Sequence, residues 1–84
     1  MTYPVLLPQL TETMEEATIV NWFKQPGDRI EKQERLYEVE TDKSIMEVES
    51  IETGYVCKIT APTGTTVSVG DQIASITDTL AECG

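Results

Sequence analysis

The chain is predicted to fold as an all-β domain, a flattened barrel or sandwich with approximate internal two-fold symmetry. Three observations predict it. Short runs rich in Val, Ile and Thr recur along the whole length, and β-branched side chains favour extended backbone. Clusters of Pro, Gly and Asp punctuate those runs with turn chemistry. The sequence also matches itself at an offset of 37 residues, which takes Gly27 to Gly64, Ile30 to Val67, Leu36 to Ile73, Val39 to Ile76, Ile19 to Val56 and Trp22 to Ile59. A glycine and a row of apolar residues sharing one register mark a duplicated frame.

Taken in order, Tyr3 to Leu7 reads as an opening strand. The first repeat follows with a strand over Ala17 to Phe23, a turn at Gln25-Pro26-Gly27-Asp28, a short strand at Arg29-Ile30 and a further strand over Leu36 to Thr41. Ser44 to Glu49 continues after a tight reversal. The second repeat has strands at Tyr55 to Thr60, Thr66-Val67 and Gln72 to Thr77, with a turn at Pro62-Thr63-Gly64. Glu12 to Ala17 contains helix formers, but so short a segment between strands supports one turn at most. Each half is too small to bury an apolar face alone, so the two are expected to pack on one another. Trp22, Phe23, Tyr37 and Tyr55 are read as core or edge-packing aromatics because they stand in apolar strands.

With 84 residues the chain makes a single domain with a small core. Residues 1–79 are assigned to it, and 80–84 to a tail or the start of a linker. Fifteen acidic against six basic residues give a formal charge of −9, spread from Glu12 to Glu82. Such a surface repels phosphate backbones and anionic membranes, so neither nucleic acid nor membrane is an expected partner. The acidity serves solubility or steers partners with basic faces; charge alone does not separate the two. Cys57 and Cys83 show neither CxxC spacing nor the density of a disulfide scaffold. Cys57, inside Tyr55-Val56-Cys57-Lys58-Ile59, is expected to be a buried, inert thiol, and Cys83 to lie in a frayed tail. Without His, two distant cysteines do not make a zinc site. No stretch approaches the roughly 18 apolar residues of a membrane span, and the first residues lack the pattern of a signal peptide. An intracellular protein is expected.

The candidate functional residue is Lys43, in the run Glu40-Thr41-Asp42-Lys43-Ser44. Polar residues at a tight reversal put its amine on a hairpin tip, with no His or Cys nearby to assist catalysis. A solvated charge is the plain reading of a turn lysine; an attachment point is the functional one. The neighbouring Glu40, Asp42, Glu47 and Glu49 could serve acid–base chemistry only in a cleft, and a solvated hairpin provides none.

The run Leu10-Thr11-Glu12-Thr13-Met14-Glu15-Glu16-Ala17-Thr18-Ile19, then Trp22, Pro26-Gly27-Asp28, Glu38-Val39-Glu40-Thr41-Asp42-Lys43-Ser44 and Gly54-Tyr55-Val56 resembles the lipoyl domains of the acyltransferase components of 2-oxoacid dehydrogenase complexes. The resemblance runs from about Tyr3 to Thr77. It implies two four-stranded antiparallel sheets, lipoic acid in amide linkage on Lys43, and Asp42 and Ser44 as the flanking hairpin residues. The domain itself would be a non-catalytic carrier. The implied partners are a lipoyl ligase or transferase, a thiamine-diphosphate 2-oxoacid decarboxylase that reductively acylates the lipoyl group, an acyltransferase core that passes the acyl group to coenzyme A, and a dihydrolipoyl dehydrogenase that reoxidises the arm. Recognition is expected to use the acidic hairpin and the loop Thr11 to Glu16.

Departures from the family pattern are mild: Ala17 stands where Gly is frequent, Ser44 where Ala is frequent, and Ser50-Ile51-Glu52-Thr53 lacks a common proline. A biotin carrier shares the architecture, but its lysine usually has methionine on both sides, whereas Asp42 and Ser44 stand here. An unmodified barrel acting as an interaction module explains the repeat equally well and leaves Lys43 without a role. By the same resemblance, the chain is expected to be monomeric when isolated, to be excised from a longer acyltransferase, and to reside in bacterial or archaeal cytoplasm or the mitochondrial matrix.

Overall fold

A computed structural model describes residues 1–83. Eight strands follow one another: β1 (Thr2–Leu6), β2 (Glu16–Trp22), β3 (Arg29–Ile30), β4 (Arg35–Glu40), β5 (Ile45–Glu49), β6 (Gly54–Ile59), β7 (Thr66–Ser68) and β8 (Gln72–Thr77). They build two four-stranded antiparallel sheets, ordered β1-β8-β6-β3 and β5-β4-β2-β7. The all-β prediction holds, and so does every predicted strand, to within a residue or two at each end. The segment 10–15 forms a turn and no helix.

Alternation along the strands builds the core. Val5, Ala17, Ile19, Trp22, Ile30, Leu36, Val39, Val56, Ile73 and Ile76 are buried between the sheets, while their neighbours on the strands mostly face outward. Trp22 packs at 5.0 Å from Tyr37, centroid to centroid. Its indole Nε1 donates to the Ala61 carbonyl at 2.9 Å, so the ring is buried without an orphaned donor. The Tyr37 hydroxyl has no partner among the described residues. Burial pushes that phenol's pKa well above its ordinary value.

The predicted repeat is present in the hydrogen bonding itself. Gly27 N donates to Val56 O, and Gly64 N to Ile19 O; Val56 N donates to Asp28 O, and Ile19 N to Thr65 O. Each bond becomes the other under the 37-residue offset. Gly27 and Gly64 both need the left-handed region, at φ 96° and 95°. The ladder irregularities are duplicated too: β2 slips against β4 between Ile19 and Asn21, and β6 against β8 between Val56 and Lys58. Val20 and Cys57 are therefore the extra residues of two equivalent β-bulges.

Three expectations are corrected. Phe23 is 38% exposed, not in the core. Adjacent residues of extended chain point to opposite faces, so burying Trp22 turns Phe23 outward, where the Arg35 guanidinium lies 5.4 Å from its ring centroid. Cys57 is not a buried free thiol, and Cys83 does not sit in a frayed tail: the two form a disulfide, with Cα atoms 5.5 Å apart. The bulge leaves Cys57 half-buried on the outer side of β6. There it meets Cys83 from a one-turn 3-10 helix, Leu80–Cys83.

Candidate functional site

The β4–β5 hairpin closes with Glu40 opposite Ile45, leaving Thr41-Asp42-Lys43-Ser44 as its turn. Neither Asp42 nor Lys43 has positive φ. The mirror-image turns that match strand twist in tight hairpins are thus not used here, and some other device must hold the strands together. Thr41 supplies it. Its backbone N donates to Ser44 O at 2.8 Å, and its hydroxyl donates to the same carbonyl at 2.9 Å. The Thr41 hydroxyl oxygen also accepts, from Lys43 N at 3.3 Å and Ser44 N at 3.2 Å. Thr41 is only 9% exposed, so these bonds are partly shielded from water.

On this clamp Asp42, Lys43 and Ser44 are all exposed. The three predicted site residues come together as consecutive members of one turn. Lys43 forms no ion pair among the described residues. Lys24 differs: its ammonium lies 3.0 Å from Glu34 Oε2. Hydrogen bonding from Lys24, then the backbone bond within Glu31–Glu34, holds the Glu34 carboxyl below its ordinary value. Lys32 and Lys58 are exposed, but Lys58 is in strand β6 and Lys32 in the turn that precedes β4. Lys43 is the one lysine presented by a hairpin tip.

The loop before β2 lies beside this tip. Thr13, Glu15 and Glu16 share an open groove with Glu40, Thr41 and Asp42. Met14 is buried and pins the loop to the core, and Gln9 Nε2 donates to Glu12 O at 3.1 Å. The expected recognition loop and the lysine hairpin therefore form one acidic surface. Sequence reasoning gave Thr41 no role. The signal was available: Ser and Thr at the start of a turn commonly bond the backbone two or three residues on.

A lysine offered at the tip of a two-sheet β-sandwich is the arrangement of a covalent-carrier domain. The profile of the family described as "Biotin-requiring enzyme" matches residues 4–76. The succinyltransferase component of the 2-oxoglutarate dehydrogenase complex of Bacillus subtilis is 40% identical over 78 residues, covering 93% of this chain and 19% of the relative. The acetyltransferase component of the pyruvate dehydrogenase complex of Zymomonas mobilis is 39% identical over 85 residues, covering 100% of this chain and 18% of the relative. Among solved structures, the lipoyl domain of the 2-oxoglutarate dehydrogenase complex of Azotobacter vinelandii superposes with a TM-score of 0.72 at 30% identity, covering 88% of this chain and 94% of that one. The chain belongs to the biotinyl/lipoyl attachment-domain family, as a lipoyl domain of the dihydrolipoyllysine acyltransferase type. It spans about one fifth of the length of the curated relatives it matches.

Proposed function

We propose that this chain is a lipoyl carrier, with lipoic acid held through an amide to Lys43 Nζ. The observation that supports this most directly is the exposed Lys43, without an ion pair among the described residues, on a turn fixed by Thr41. The residues fit the group: a single amide needs one accessible amine, and a mobile arm needs no enclosing pocket. When bound, the dithiolane supplies the capacity to accept an acyl group together with two electrons and later to be reoxidised.

Lysine is nucleophilic only when neutral, so a lipoyl ligase or transferase supplies the deprotonation and the activated acyl donor. The chain contributes a fixed attachment point. Thr41 sets the direction in which the side chain leaves the domain, and the four-carbon stem of Lys43 supplies the freedom. Amide formation removes one of six positive charges and takes the formal charge from −9 to −10. Linking the reactive group to a domain that returns repeatedly to each active site raises its local concentration there.

The partners are those of a 2-oxoacid dehydrogenase complex: the thiamine-diphosphate decarboxylase, the acyltransferase core and dihydrolipoyl dehydrogenase. The acidic surface shared by the hairpin and residues 11–16 is the face recognised by the decarboxylase. The setting is bacterial or archaeal cytoplasm, or the mitochondrial matrix. Intact mass after incubation with ATP, lipoic acid and a lipoyl ligase tests the reading, in parallel with biotin and a biotin ligase. A lipoyl increment in the first reaction and none in the second is expected. A biotinyl increment, or no increment in either, refutes it.

A further inference from the structure

The disulfide lies outside everything the carrier role uses. Lys43 belongs to the β5-β4-β2-β7 sheet, whereas Cys57 sits in β6 of the other sheet and Cys83 follows β8 of that same sheet. The two halves of the molecule are also unequal here: the bulge residue equivalent to Cys57 is Val20, which has no such bond.

What the bond holds is narrowly defined. Thr77 Oγ1 donates to Thr79 O at 2.8 Å, and Asp78 pairs with the N-terminal amine at 3.3 Å and donates its N–H to Met1 O. The chain is thus secured to the sheet as far as residue 79 without any help from sulfur. Beyond it, Leu80, the large apolar side chain of the 3-10 helix, is 47% exposed, so this turn inserts no hydrophobic anchor. Cys57 and Cys83 are both half-buried, not sealed in the core. A bridge between two half-buried cysteines, joining β6 to a terminal turn whose Leu80 is largely exposed, has the features of a labile bond and not of a structural staple.

We infer that Cys57–Cys83 is a thiol–disulfide exchange site whose substrate is a dithiol, and that its reduction unclasps residues 80–83 from β6 while the sandwich stays folded. One thiolate of the dithiol attacks a bridge sulfur and the other bridge sulfur leaves as a thiolate. The second thiolate of the reductant then attacks the reductant's sulfur in the mixed disulfide, closing the reductant's own disulfide and expelling the remaining protein sulfur as a thiolate. The protein gains two thiols, and the reductant becomes a disulfide. The point where the backbone leaves the body moves from Cys83 to Thr79. Four residues of extended chain add roughly 13–14 Å of reach, at about 3.3–3.6 Å each.

The test uses the folded 84-residue chain, with dithiothreitol as the dithiol, read by differential thiol alkylation with mass spectrometry and by backbone NMR relaxation. The oxidised chain is expected to alkylate at neither cysteine and the reduced chain at both. Order parameters at residues 80–83 are expected to fall from about 0.85 to below about 0.6, with β1–β8 and the Lys43 turn unchanged. Reoxidation restores them. Cys57→Ser and Cys83→Ser are expected to show the released state with or without dithiothreitol. Alkylation without reductant, a bond that resists dithiothreitol until the sheets unfold, or Ser variants whose residues 80–83 stay ordered would each overturn the inference.

Discussion

The two repeats of this domain agree in their frame and differ at their tips. The turn at 31–34 and its equivalent at 68–71 make the comparison concrete. Glu31 N donates to Glu34 Oε1 and Glu34 N to Glu31 O; Ser68 N donates to Asp71 Oδ2 and Asp71 N to Ser68 O. Even the left-handed residue recurs, as Gln33 at φ 74° in one half and Gly70 at φ 92° in the other. At the next reversal the halves part. Thr41–Ser44 is a hydroxyl-clamped hairpin carrying an exposed lysine, whereas the equivalent stretch, beginning at Asp78, ties down the N-terminus and leads into the disulfide-bonded turn. The repeat accounts for the scaffold, and the proposed attachment site lies where the repeat ends. Side chains at the tips touch little of the core, so they can change without disturbing the packing that both halves share.

This contrast can be broken first at Gly54, the equivalent of Ala17. A Cβ at Gly54 would run into the Thr77 carbonyl on β8, a backbone atom that cannot rotate away. Gly54→Ala is expected to cost about 2–3 kcal/mol in denaturant unfolding, although the first half already holds an alanine at this point. An unchanged midpoint would show that the sheets adjust independently there.

A change at the tip should separate function from stability. Thr41→Val keeps the shape of the side chain and removes the three hydroxyl hydrogen bonds. It is expected to cost about 1–2 kcal/mol of stability and to slow ligase-catalysed lipoylation, by roughly tenfold if about 1.4 kcal/mol of positioning is lost. Thr41→Ser should restore the rate. Equal rates for Thr41→Val and the parent would leave the clamp with no role in presenting Lys43.

The smallest effect is expected at Gln33, where a side chain occupies the left-handed conformation that Gly70 adopts freely in the other half. Gln33→Gly relieves strain of roughly 1–2 kcal/mol but loosens the unfolded chain by about 0.5–1 kcal/mol. A net gain of up to about 1.5 kcal/mol should appear as a small rise in melting temperature. A loss would mean that Gln33 makes compensating contacts and that the two turns are less alike than their hydrogen bonds.

The frame was legible in the sequence because its determinants are local and repeated. Alternating apolar residues and the Gly27 and Gly64 turns mark the strands wherever they fall, and the offset of 37 predicts which turns are equivalent. Lys43, Asp42 and Ser44 were legible because a hairpin tip is defined by the residues of the tip. Phe23 was misjudged although period-2 alternation, with Trp22 inward, already turns it out. The Cys57–Cys83 bond was of another kind. The cysteines are 26 residues apart, and their meeting depends on a bulge in β6 and a turn after β8 that neither cysteine encodes. Thr41 lay between these cases: its position signals a capped turn, but the clamp becomes evident only when neither Asp42 nor Lys43 adopts positive φ.

The proposed function requires a lipoyl ligase to act at one amine, because Lys43 is the lysine that the scaffold presents on a fixed hairpin tip. Peptide mapping of ligase-treated protein tests it most directly, since Lys24, Lys32, Lys43 and Lys58 fall in different parts of the fold. The lipoyl group is expected on Lys43 alone, with Lys43→Arg unmodified and melting at the parent temperature. Lipoyl groups on Lys24, Lys32 or Lys58, or an unmodified Lys43 in the presence of an active ligase, would contradict it.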